Sequence, residues 1–246
     1  MAQSESLSFA PTGLKKAAYV RHMFALAARR YDLMDRLMTF GRDRAWRHFA
    51  AQLAQPPPGG LALDVATGTA ELALALLKTA PTIHVVGVDS CPEMLAVGKR
   101  KVQGEAGHHL RFLAGDALRL PFPDGAFDCL VNGFVLRHVS DISQALAEMG
   151  RVVRPGGCVV CLEVTKPTLP LFSPLFRFYF YHLVPLLGSL ISSHPPAYTY
   201  LPHSLTDFPS ADELCELMER VRLQEVHYHL LDLGTVAVHV GTASGG

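Results

Sequence analysis

An α/β fold with a mostly parallel, doubly wound sheet is predicted by strict alternation of short apolar runs with helical patterns. Runs rich in Val, Leu, Ile and Phe occupy 61–66, 83–89, 109–114, 127–132 and 157–164, and helical periodicity fills 71–80, 92–103 and 141–153. Such alternation builds parallel strands joined by helical crossovers. Near the C-terminus the run Val221–Val240 alternates on both sides of Asp232-Leu233-Gly234. That pattern predicts a β-hairpin, which adds an antiparallel strand at one edge and brings the expected sheet to seven strands.

Each remaining segment has a place around that sheet. Residues 1–55 read as a helical lid, cut from the core by Gln55-Pro-Pro-Pro-Gly-Gly60, because three prolines cannot continue a helix. The core is 56–246, with a substrate-lid insertion near 167–205, and the whole is expected to be one structural domain. Inside the insertion Leu169–Ile191 carries one formal charge, Arg177, in 23 residues. Its length admits a membrane span, but Pro170, Pro174 and Pro185 argue against one. A pocket lid or a lipid-facing helix remain as readings.

Composition narrows the function classes. Lys plus Arg number 22 against 22 Asp plus Glu, so no overall positive field exists to hold a phosphate backbone, and nucleic acid is not an expected partner. Apolar residues make up 49% and charged ones 18%, a balance that suggests contact with lipid. Cys91, Cys129, Cys158, Cys161 and Cys215 are an odd, scattered set, which fits a reducing cytoplasm better than a disulfide framework. Cys158 and Cys161 lie three apart in a strand-like run and so face opposite sides, against a metal or redox role. No apolar run marks the first 14 residues, and Ser6–Arg30 has five Lys or Arg and no acid. The expectation is a basic amphipathic helix on a cytoplasmic protein, in peripheral contact with the inner face of the membrane.

The chemistry is written at the strand ends. Strand 61–66 runs into Leu63-Asp-Val-Ala-Thr-Gly-Thr-Ala-Glu-Leu72, the turn where a Rossmann-like sheet lets backbone approach a cofactor. Gly68 allows that approach, but Ala66 and Ala70 stand where a dinucleotide site needs glycine. A ligand without phosphates is indicated, and S-adenosyl-L-methionine is one. Asp64 is expected at its amino-acid portion, Asp89 at the ribose hydroxyls and Asp116 at the adenine amino group. Thr67, Ala117 and Asn132 complete the expected cofactor contacts. A histidine pair, His227 and His229, shares a strand face but lacks further metal ligands, and no metal is expected.

These features resemble the class I S-adenosylmethionine methyltransferases, and within them the C-methyltransferases of ubiquinone and menaquinone biosynthesis. Tyr31–Trp46 is similar to the first signature of that family, with Tyr31, Asp32, Met34 and Trp46 in common. Asp35 stands for the usual Asn, Thr39 for Ser and Asp43 for His. Arg151–Thr165 resembles the second signature, with Arg154 for Lys and Thr165 for Ser. Phe134–Asp141 is similar to the family's Phe-Gly-Leu-Arg-Asn stretch, keeping Arg137 and replacing Asn with His138; Tyr198–Ser204 and Val236–His239 also match. The resemblance covers about 19–242 and implies methylation of a ring carbon of a prenylated quinol, a demethylmenaquinol or ubiquinol precursor. It also implies that Arg137 and Tyr31 surround the reacting ring.

Forming a carbon nucleophile requires loss of a phenolic proton. Arginine is a very poor base, so Arg137 is read as steadying the phenolate, and His138 as the proton acceptor, directly or through water. The alternative for His138 is a solvent-facing helix-start residue. Expected partners are the prenylated quinol, a membrane surface and a second copy of the chain. Rival functions are a methyltransferase of another aromatic or polyketide molecule, and a non-catalytic scaffold of a quinone-synthesis assembly. A nicotinamide dehydrogenase has too few glycines in the turn to be supported, and Asn132-Gly-Phe134 lacks the Pro-Pro of amino-group methyltransferases.

Overall fold

The computed structural model of the chain describes residues 14–102, 104–167, 172–184, 186 and 204–245. Strands β1 (Leu61–Val65), β2 (His84–Asp89), β3 (Leu110–Ala114), β4 (Phe127–Gly133), β5 (Val153–Val164), β6 (Leu223–Leu231) and β7 (Val236–Ala243) form one sheet in the order β3-β2-β1-β4-β5-β7-β6. The first five run parallel. The C-terminal hairpin supplies the antiparallel strand as β7, which pairs with β5 on one side and β6 on the other. The order reverses at β1 and β4, so their carboxyl ends border the crevice where ligands bind in such sheets.

Helices α1 (Leu14–Ala27), α2 (Tyr31–Met38) and α3 (Asp43–Ala54) precede the sheet. They are followed by α4 (Glu71–Thr79), α5 (Pro92–Lys101), α6 (Glu105–His109), α7 (Ile142–Val152), α8 (Phe172–Phe178) and α9 (Ala211–Arg220). Alternation along each strand divides the core between two layers. Ala62, Cys129 and Val131 pack with Trp46 and Ala50 of α3 and Leu72 and Leu76 of α4. Leu63, Leu130 and Cys161 pack with Leu146 and Met149 of α7 and Leu214 and Met218 of α9. Cys158 and Cys161 do face opposite layers. His108 and His109 end the single turn α6, and His109 stacks on His84 with ring centroids 4.8 Å apart.

The hairpin is tied to the lid. Asp232 accepts hydrogen bonds from Trp46 Nε1 at 2.6 Å and Arg42 Nε at 2.9 Å. Of Leu169–Ile191, the described part is α8 and a π-helical turn, Tyr179–Leu183, that continues it to Val184. Residues 198–203 of the matched Tyr198–Ser204 stretch lie outside the described residues. Among those described, no helix is long and apolar enough to cross a membrane.

The turn after β1 is the feature that most constrains the site. Ala66, Gly68 and Ala70 all have positive φ, at 56°, 55° and 70°. Only glycine adopts this region without a Cβ penalty of roughly 1–2 kcal/mol. Two alanines carry the conformation at a cost, and the N–H groups of the turn are spent within it and on β2: Thr67 N donates to Val88 O, Gly68 N to Asp89 Oδ2 and Ala70 N to Thr67 O. Ala70→Gly is therefore expected to raise stability by about 1 kcal/mol in urea unfolding, the left-handed penalty exceeding the added chain entropy. A loss of stability instead means that packing of the buried Ala70 methyl outweighs its strain.

Candidate active site

A cavity of about 370 Å³ opens at the carboxyl ends of β1, β2 and β4, lined by Asp64, Thr67, Gly68, Asp89, Asp116, Ala117 and Gly133, and closed from the lid by Phe24 and Tyr31. Gly68 suits the turn by its φ of 55°, and a Cβ there would meet Met94 Cε at 3.1 Å, so that side chain would have to give by a few tenths of an ångström. Asp89 welds two loops: its Oδ2 accepts from Gly68 N at 2.8 Å and its Oδ1 from Cys91 N at 2.7 Å. Each oxygen keeps lone-pair capacity for a further donor. Asp64 serves the turn with Oδ2, which accepts from Thr67 Oγ1 at 2.6 Å and Ala73 N at 3.0 Å. Asp116 is exposed and accepts from Leu118 N at 2.9 Å. Three carboxylates around glycine backbone fit a cationic nucleoside without phosphates.

Beyond it lies a second, smaller cavity of about 120 Å³, walled chiefly by aromatic and aliphatic side chains, including Trp46, Phe176, Tyr179, Phe180 and Val236. Phe24, Tyr31 and Phe134 line both cavities. Phe134 is the partition. It follows Gly133 at the end of β4 with φ of 61°, which a bulky residue adopts only under constraint. The Arg47 and Arg137 guanidiniums each stand over its ring, 5.5 and 5.6 Å from the centroid, in cation–π geometry.

Both arginines are held by buried carboxylates. Arg137 Nη1 donates to Glu163 Oε2 at 3.1 Å, while Glu163 Oε1 accepts from Leu136 N at 2.7 Å. Arg137 Nε is buried and has no hydrogen-bond partner among the described residues. Arg137 lines the second cavity, and a guanidinium in an otherwise apolar wall suits an oxygen of a ligand ring. Arg47 donates to Asp43 at 2.7 Å and to Asp35 at 2.6 Å, and Thr39 Oγ1 donates to Asp43 at 3.1 Å. The departures Asp35, Thr39 and Asp43 thus form one network around Arg47. Asp32 couples lid to cofactor turn, accepting from Thr69 Oγ1 at 2.5 Å and Lys101 Nζ at 2.7 Å.

Burial dominates the electrostatics. It pushes Asp64 and Glu163 up to about 7, the latter against the pull of Arg137. Burial and then the positive field of Arg137 and Lys16 hold His138 well below the usual histidine value of 6.5. The Tyr31 hydroxyl is raised by burial and by Asp35, so it is a donor at neutral pH.

The structure brings Tyr31, Asp64, Thr67, Gly68, Asp89, Asp116, Ala117 and His138 to one cavity. His138 is buried, with its ring edge-on to Phe24 at 5.3 Å, so the solvent-facing alternative does not hold. It lines the first cavity, whereas Arg137 lines the second. Asn132 is a correction. Its amide points into the α7 layer, donating to Cys161 Sγ at 2.9 Å, and Gly133 lines the cavity in its place. Strand alternation puts Asn132 on the face of Leu130, away from the opening. In the lid segment the cavity-lining residues are Phe176, Tyr179, Phe180 and Val184, while Phe178 is exposed. Phe24, Asp35, Arg47, Phe134 and Glu163 escaped assignment to the site from sequence. Glu163 left a signal, a charge inside the apolar run of β5.

A Rossmann-like sheet with this turn and these strand-end carboxylates defines an S-adenosylmethionine-dependent methyltransferase. The sequence model of the ubiE/COQ5 methyltransferase family matches residues 12–243, and the chain belongs to that family. It is 44% identical over 231 residues to the demethylmenaquinone methyltransferase of Roseiflexus castenholzii, covering 94% of this chain and 96% of that protein. Identity to the demethylmenaquinone methyltransferase of Thermus thermophilus is 45% over 219 residues, 89% and 99% of the two chains. In fold, the chain is similar to a SAM-dependent methyltransferase from Aquifex aeolicus, with a TM-score of 0.57, 18% identity and 85% and 92% coverage of the two chains.

Glu163 gives this arrangement a pH signature. A carboxyl raised from 4.5 to about 7 on folding binds its proton more tightly in the folded state. Its contribution to stability is present below about 4.5 and is lost as pH rises to about 7. Glu163→Gln has no proton to lose, so its stability relative to the parent chain is expected to rise across that window. Urea midpoints at intervals of pH measure the difference; a flat or falling difference contradicts the assignment.

Proposed function

We propose that the chain methylates a ring carbon of a prenylated naphthoquinol, demethylmenaquinol, and that Tyr31, Arg137 and His138 carry the reaction. The observation that carries this reading is an apolar, aromatic-walled cavity meeting a carboxylate-lined one across Phe134. The name shared by the 44–45% identical relatives supports the naphthoquinol over the benzoquinol. When bound in the larger cavity, S-adenosylmethionine supplies an electrophilic methyl group, held by Asp89, Asp116 and the backbone of the 66–69 turn.

The quinol ring occupies the smaller cavity. There the Arg137 guanidinium donates to the ring oxygen and favours its anionic form, which places electron density on the adjacent ring carbon. Tyr31, a proton donor at neutral pH, orients the same ring. His138 is neutral at pH 7 because of its lowered pKa and accepts the phenolic proton through water at the shared wall. Phe176, Tyr179 and Phe180 exclude bulk water and shelter the start of the tail, at about 25 cal/mol per Å² of apolar surface covered. The helices before the sheet and the segment around α8 act as lids, and the protein works at the membrane surface where such quinols reside. An intact cofactor cavity argues against a scaffold that has lost turnover.

The test is product identity. Incubated with S-adenosylmethionine and a reduced, prenylated, unmethylated naphthoquinone, the protein is expected to yield a C-methylated ring by mass spectrometry. An O-methylated product, or none, refutes the reading. In the same assay His138→Asn is expected to lower kcat by roughly 10²–10⁴ and remove an acidic limb lying below pH 6.5; an unchanged rate removes His138 from the mechanism.

A further inference from the structure

Charge on this neutral chain is unevenly spread. Between Leu14 and His48 the acidic residues are Asp32, Asp35 and Asp43. Each is committed to an internal partner, Asp32 to Lys101 and Thr69, Asp35 and Asp43 to Arg47. Arg29, Arg36 and Arg44 meanwhile face solvent. The lid therefore presents positive charge outward.

The same face is apolar. Leu33, Arg36 and Leu37 are exposed and share one side of α2 by helical spacing, and Arg29 and Phe40 are exposed in the turns that flank it. Phe40 is 80% exposed and has φ of 52°. A bulky aromatic held in left-handed backbone and turned to solvent is unfavourable twice over, and such positions mark functional surfaces. The turn is fixed by Gly41 N donating to Arg36 O at 2.8 Å. Across from it, α8 exposes Leu175 and Phe178 around Arg177, and the hairpin tip exposes Leu233. Phe40 borders the second cavity: its ring lies 5.8 Å from that of Tyr179, which lines the cavity and donates to Met38 O at 2.6 Å.

We propose that this basic, apolar face of α2 and α8 docks on an anionic lipid surface and opens the second cavity toward the bilayer. The inference rests on the reading that the substrate carries a prenyl tail, and names the surface that would deliver it. Charge selects this occupant: an isologous dimer through the same face brings its own arginines together, whereas anionic headgroups neutralise them and the leucines enter the acyl boundary. Among the described residues no helix can span, so contact is at the surface.

The experiment is flotation of the full chain with vesicles of phosphatidylcholine alone, or mixed equally with phosphatidylglycerol. Binding to the mixed vesicles is expected, weakening with salt, by about fivefold for each of Arg29→Glu and Arg36→Glu, and by a similar factor for Leu37→Ser. Equal binding to both vesicle types, binding unchanged in these variants, or a dimer that Leu37→Ser dissociates overturns it. Turnover of a tailless naphthoquinol in solution separates the two readings. If it persists in the variants while parent-chain flotation fails, only the docking surface is wrong; if the parent chain has no turnover yet floats, the quinol reading is.

Discussion

Charge buried at the carboxyl ends of the strands has to be compensated, and that requirement organises the site. Desolvating one ion costs several kcal/mol, and removing the partner of a buried pair typically costs about 3–5 kcal/mol. Glu163 is fully buried at the end of β5 and takes Arg137 and the Leu136 N–H. Arg47, buried on α3, takes Asp35 and Asp43. Because Arg47 and Arg137 also stack on Phe134, the two ion systems meet across one ring and join the N-terminal helices to β4 and β5. The N-terminal helices are part of the electrostatic balance of the core.

The same pairing divides the crevice by chemistry. On the β1–β2 side, carboxylates are satisfied by the N–H groups of Gly68, Ala73 and Cys91 and the Thr67 hydroxyl, and the cavity stays polar and suited to a cationic nucleoside. On the β5–β7 side, the charges pair with one another, and the space that remains is aromatic. A guanidinium donor open at the edge of an apolar space supports recognition of one ring oxygen on an otherwise apolar molecule. Turning the lid's acids inward has an external counterpart in the arginines it leaves outside.

Most of the fold was legible because a parallel sheet declares itself through apolar runs at regular intervals, and the hairpin through alternation around Asp232-Leu233-Gly234. Asp89 and Asp116 line one cavity because each stands at or just past the end of an apolar run, the second and the third, that the sequence marks as a strand. Asn132 was misplaced because proximity to the strand end was weighed above period-two alternation, which pairs it with Leu130. The network around Arg47 left a trace in spacing: residues 35, 39, 43 and 47 recur every four positions, yet α2 ends at Met38 and α3 begins at Asp43, so no continuous helix links them. The conformation of Phe134 could not be read, since positive φ in a phenylalanine is imposed by tertiary contacts with residues far away in sequence. His138 was recognised, but its burial and lowered pKa depend on Phe24, Lys16 and Arg137 packed around it.

The central claim is that two cavities, separated by Phe134, hold cofactor and ring at the same time. Titrating 1-naphthol, a tailless ring with one hydroxyl, into protein saturated with S-adenosylhomocysteine tests it directly by calorimetry. A ternary complex is predicted, with naphthol affinity undiminished by the nucleoside and reduced by Arg137→Lys, because a lysine cannot reproduce the planar fork of donors. Mutually exclusive binding would contradict the account, for it would mean that ring and nucleoside compete for a single space.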